Sequence, residues 1–143
     1  MLEVLALVLA SSTSAYWSDA ITAEVARLGA QLEARTRFIE DLRDIEPPEA
    51  RARALLRRLH GSDLLQTYDP RATTLQEIIA SGRFNCVSSA VLFSGLALEL
   101  GLEVQAELQP THARSQVRGD RGWSVVETTS PQGFDPEAQV RRA

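Results

Sequence analysis

The sequence predicts an α+β fold in which a helical N-terminal half leads into a cysteine-bearing helix packed on a small antiparallel sheet. Three observations predict it. As far as Leu100 the apolar residues recur mainly at helical spacings of three and four, whereas beyond Gly101 they alternate with polar ones. Between two of the alternating runs lies "GDRG", a hairpin turn by composition. Helices first and strands after are the order of a domain whose helices are segregated to one side of an antiparallel sheet. A chain of 143 residues can bury one core and is short for two. The expected organisation is therefore one domain over 16–143, with a helical part at 16–81 and a core at 82–143, preceded by a distinct segment 1–15.

That first segment, within "MLEVLALVLASSTSAYW", has an apolar stretch followed by small residues. It reads either as a secretory leader ending near Ala15 or as an N-terminal helix packed on the core. No basic residue precedes the apolar stretch, Glu3 stands where positive charge belongs, and the stretch is too short to span a bilayer. A cytoplasmic location is thereby favoured over export, with no transmembrane segment expected.

Ile21, Val25, Leu28, Leu32, Ile39 and Leu42 then trace one helical seam from Ser18 to Arg43, with Arg35 in the one seam position that is not apolar. Pro47-Pro48 ends it. "EARARALLRRLHG" predicts a second helix that buries Leu55, Leu56 and Leu59, turns Arg51, Arg53, Arg57 and Arg58 outward and stops at a left-handed Gly61. His60, in its last turn, suits the negative end of the helix dipole. After a turn at Asp69-Pro70, Thr74 and Glu77 have capping-box spacing for a short helix ending at Gly82. Asn85 caps the next helix, Cys86 to Leu100, with Gly101 as its stop. "LEVQAEL", "HARSQVR" and "WSVVETT" are the strands.

Composition removes several function classes. A net charge of −4 and the lack of a basic stripe argue against nucleic-acid binding. One cysteine cannot close an internal disulfide. Cys86 and His112 are too few soft ligands for zinc, so no metal or other cofactor is expected. All fifteen basic residues are arginine, so the chain offers no side-chain amine for cross-linking to itself.

Cys86 falls in the first turn of its helix, where unpaired N–H groups and the dipole favour thiolate and could supply part of an oxyanion hole. A nucleophilic thiol also needs a base held by an acceptor. If "GDRG" closes a hairpin with Gly119 opposite Gly122, Glu127 faces Arg114 and is the diagonal neighbour of His112, with all three on one face of the sheet. An odd-length turn would separate them. Asp120, at the turn, lies about 25 Å from His112 along the strand and is out of reach. Asp135 follows in a segment whose structure the pattern does not predict.

A cysteine opening a helix that ends "GLALELGL", then a strand, a histidine and "GW-x-x-x-E-T-T", is similar to the transglutaminase-like superfamily, whose fold is papain-like. "NCVSSAVLF" and "VVETTSPQGF" resemble a bacterial subgroup of it. The resemblance runs over roughly Leu75 to Asp135. It implies a catalytic triad with Cys86 as nucleophile, His112 as general base and Glu127, four residues after Trp123, as the orienting acid. It further implies a thioester intermediate and a protein or peptide substrate, attacked at a peptide or carboxamide bond by a cysteine hydrolase or acyltransferase. Asn85, Trp123 and Arg114 are the candidates for the oxyanion hole or cleft wall. Two positions depart from the family: its acid is normally Asp, and an aromatic often stands where this chain has Arg114. The competing expectation is a silent copy of the fold serving as a binding or scaffold module, with Cys86 as packing and Trp123 in the core or as an exposed contact.

Overall fold

The computed structural model describes residues 19–109 and 111–135. The leader-or-helix alternative for 1–15 lies outside them. Helix α1 spans Asp19–Thr36 and tightens into a 3-10 helix, Arg37–Asp44. The seam of Leu32, Ile39 and Leu42 is buried as expected, but one continuous α-helix to Arg43 is not formed. At the junction the buried Thr36 hydroxyl donates to the Leu32 carbonyl (2.5 Å), and such back-bonding bends a helix. Arg35 reaches the Ile79 carbonyl and Asp63, which explains a charge in the apolar seam.

Helix α2, Pro48–His60, begins on proline at a position that needs no N–H. It buries Leu55, Leu56 and Leu59. Two expectations fail here. Gly61 is right-handed (φ −85°), and Arg51 is buried, not outward. Its guanidinium donates to the Leu100 carbonyl (2.9 Å), the Ile45 carbonyl (3.0 Å) and Glu46 (2.7 Å), so burial is compensated at every arm.

The stretch before Cys86 is not wholly helical. Strand β1, Thr67–Tyr68, pairs in parallel with β2, Arg83–Phe84, across helix α3, Leu75–Ser81. The Thr74 side chain caps α3 through the Glu77 N–H, and Gly82 closes it at φ 71°. Two-residue strands leave no alternation to read.

Helix α4, Cys86–Glu99, starts at the Asn85 cap and is followed by β3 (Glu103–Gln109), β4 (His112–Gly119) and β5 (Gly122–Val126), an antiparallel sheet in the order β3-β4-β5. The fold is α+β. Leu92, Phe93 and Leu96 of α4 meet Leu55, Leu56 and Leu59 of α2 and Val117 and Val126 of the sheet in one buried cluster. Each such side chain contributes roughly 1.5–3 kcal/mol by leaving water. No helix among the described residues is long and apolar enough to cross a membrane.

Candidate active site

The β4–β5 hairpin pairs Gly119 with Gly122 and Ser115 with Val126, the register expected from a two-residue Asp-Arg turn. Glu49 of α2 holds that turn, accepting the N–H groups of Asp120 (3.2 Å) and Arg121 (2.9 Å). Burial pushes the Glu49 carboxyl up, but these hydrogen bonds outweigh it and leave it below its ordinary value. Because side chains alternate, Ala113, Ser115 and Val117 are buried under the helices, while His112, Arg114 and Gln116 lie half-buried on the opposite, open face.

On that open face His112 Nε2 meets Glu127 Oε2 at 2.5 Å. Arg114 Nη1 donates to the other oxygen, Oε1, at 3.2 Å. The remaining donors of Arg114 grip Glu107 of β3, Nε to Oε2 at 2.9 Å and Nη2 to Oε1 at 2.8 Å. Gln116 adds a bond to Glu107 at 2.7 Å. The bonds from Arg114 and then Gln116 hold the Glu107 carboxyl below its usual range, and the same contact with Glu107, joined by Glu127, keeps Arg114 firmly charged. A carboxylate accepts only, so Nε2 of the neutral ring carries the proton and Nδ1 is left as a proton acceptor.

The start of α4 is organised separately. Asn85 Oδ1 accepts the N–H groups of Val87 (3.0 Å) and Ser88 (3.1 Å), and Ser88 Oγ accepts the Asn85 N–H (2.9 Å). Asn85 Nδ2 donates to the Pro70 carbonyl at 3.1 Å. Buried and engaged at both ends of its amide, Asn85 is a cap, and the oxyanion role considered for it is withdrawn. Its cap also occupies two of the first-turn donors, those of Val87 and Ser88.

Ser94 Oγ lies 2.8 Å from Ser115 Oγ, and Ser89 Oγ 2.7 Å from Thr128 Oγ1, which the register sets across from Ala113. Helix and strand therefore run in step. Cys86 is eight residues back from Ser94, about 12 Å of helix rise, and His112 three back from Ser115, about 10 Å of strand rise. The two first residues are level at one end of the sheet. Cys86 shares the helix side of Ser89 and Ala90, which touch the sheet, whereas the imidazole is on the open side. The structure thus joins His112 to Glu127 directly; among the described residues the half-buried, free Cys86 thiol forms no hydrogen bond to the ring.

Trp123 lies on the same open face and is 45% exposed, so of its two alternatives, core or exposed contact, it is the exposed one. It stands four residues from Glu127, about 13 Å along the strand, too far to wall the dyad. Arg114 binds both carboxylates and so holds the dyad instead of lining an aromatic cleft.

His60 was not expected here. Its Nε2 donates to the Thr128 carbonyl (2.8 Å) and its ring meets Phe84 edge-on (5.6 Å), so it ties α2 to the residue after Glu127. Burial pushes its titration down, against the pull of the Thr128 carbonyl, which disfavours the charged ring that the helix dipole would want. With a folded value below the unfolded ~6.5, the neutral ring's contribution is complete above about pH 6.5 and is lost as pH falls through the folded value. Urea midpoints taken at pH 7.5 and pH 5 should fall more for the wild type than for His60→Gln; equal falls would refute the assignment. Comparison with protein-family models, with curated proteins and with solved structures finds no match for this chain.

Proposed function

We propose that the protein is a transglutaminase-like cysteine hydrolase or acyltransferase that cleaves peptide or carboxamide bonds through Cys86, His112 and Glu127. The observation that carries this reading is the 2.5 Å bond from His112 Nε2 to Glu127, which leaves Nδ1 as the accepting nitrogen of the neutral ring. In the reaction the thiol proton passes to Nδ1, and the imidazolium so formed is stabilised by the Glu127 carboxylate. The sulfur attacks the carbonyl carbon while the Cys86 N–H faces the developing oxyanion. His112 returns the proton to the leaving nitrogen as the C–N bond breaks, and a thioester remains. Water, deprotonated by His112, releases the acid and restores the thiol; an amine in its place yields a new amide. Because 35% of the His112 side-chain surface stays exposed, substrate can reach the ring from the open end of the sheet.

Alkylation by iodoacetamide between pH 5 and 9 tests the triad without a known substrate. Cys86 in the folded protein should react well below pH 8, and His112→Ala should return it to the behaviour of an ordinary thiol near ~8.5. Coincident profiles for the two proteins would overturn the triad. The second reading, a silent fold used as a binding module, is favoured by the exposed Trp123 and would then stand.

A further inference from the structure

Glu107, Arg114, Glu127 and His112 form an unbroken run of charge-assisted hydrogen bonds from β3 through β4 to the residue that follows β5. Only its last two members have a role in the triad. The fork of Arg114 is spent on Glu107 through Nε and Nη2, so a single arm, Nη1, is left for Glu127 and it takes Oε1. Oε2 is thereby the oxygen turned to the imidazole.

We infer that Arg114, anchored by Glu107, is a positioning residue that selects the Glu127 oxygen meeting His112 and sets how much negative charge the imidazole feels. Its consequence for turnover rests on the triad reading above; the charge coupling rests on the hydrogen bonds alone. Among the described residues the groups around His112 are few. Arg114 lies on its own strand, Glu127 follows β5, and β3 brings Gln109 opposite with Glu107 one pleat on. Cys86 stands at the helix start, and His60 reaches Thr128, the residue after Glu127.

Glu107 offsets the charge of Arg114. Without it the full positive charge bears on Glu127, and the imidazolium is less favoured. Without Arg114 two carboxylates remain near the ring, the imidazolium is more favoured, and Glu127 is free to turn away. Opposite changes at two contacting residues should therefore move the ring's titration in opposite directions, which a merely structural role would not do.

The experiment follows the His112 Cε1–H resonance against pH in the full chain, assigned by its disappearance in His112→Ala. Glu107→Gln should shift the midpoint down and Arg114→Met should shift it up, each by about half a unit at this partly exposed site. The plateau rate of Cys86 alkylation should drop about tenfold in Arg114→Met and recover in part in Arg114→Lys, which restores charge without the fork. Midpoints that stay in place, or that move the same way in both variants, overturn the inference. Opposite shifts combined with alkylation that ignores His112 support the coupling and overturn the triad reading, so the two failures are separable.

Discussion

Glu127→Gln is expected to slow iodoacetamide alkylation of Cys86 at pH 6.5 by about a hundredfold while leaving the urea midpoint nearly unchanged. An ordinary thiol two pH units below ~8.5 is only about 1% ionised, which sets the size of the effect if the variant loses its ion pair. The loss follows from Arg114. Its Nη1 donates to Glu127 Oε1, and in the variant the amide oxygen stays with that donor. The NH2 group then faces His112 Nε2 where a carboxylate oxygen stood, so Nε2 becomes the acceptor and Nδ1 carries the proton. A ring in that tautomer cannot take a proton from sulfur. Glu127→Asp keeps the charge and should fall between the two. A Glu127→Gln rate equal to wild type would show that the carboxylate does not act through the imidazole.

Gly133→Ala is expected to cost about 3 kcal/mol of stability, in the range of forced overpacking, and to lower the alkylation rate as well. A Cβ at Gly133 would run into the backbone carbonyl of Glu127, with Glu127 Cβ itself 3.0 Å away. Backbone cannot swing aside as a flexible side-chain tip can. The Gly133 carbonyl also accepts the Glu127 N–H at 2.8 Å, so any displacement carries the carboxylate with it. Gly122→Ala is the control. At φ 98° with nothing within 4 Å, it should cost roughly 1–2 kcal/mol through left-handed strain alone and leave the dyad's chemistry as it was. Equal effects of the two substitutions on alkylation would refute the link between Gly133 and Glu127. Urea unfolding and the alkylation assay, run on the same samples, measure both.

Much of the candidate site is legible in the residue order. The hairpin parity placed His112, Arg114 and Glu127 on one face because a two-residue turn leaves no freedom in the register. Glu107 follows from the same kind of reasoning, since Gln109 pairs with His112 across an equally short connection and Glu107 then faces Arg114. Ser89, Thr128 and His60 carried no such signal. Their hydrogen bonds span thirty-nine and sixty-eight residues, and nothing in the local pattern of a serine, a threonine or a helix-end histidine names a partner that far away.

Alone, the residue order determined what depends on neighbours in the chain: the Asn85 cap, the turns at Gly82 and Gly101, the alternation of each strand and the diagonal meeting of His112 with Glu127. Tertiary structure decided which face of the sheet α4 covers, that Arg51 is buried and that Trp123 is exposed. Spacing is governed by helix and strand periods, which are local. Which face is covered is settled by the fit of α4 against β3 and β4 and of α2 against β4, a packing free energy summed over residues distant in sequence.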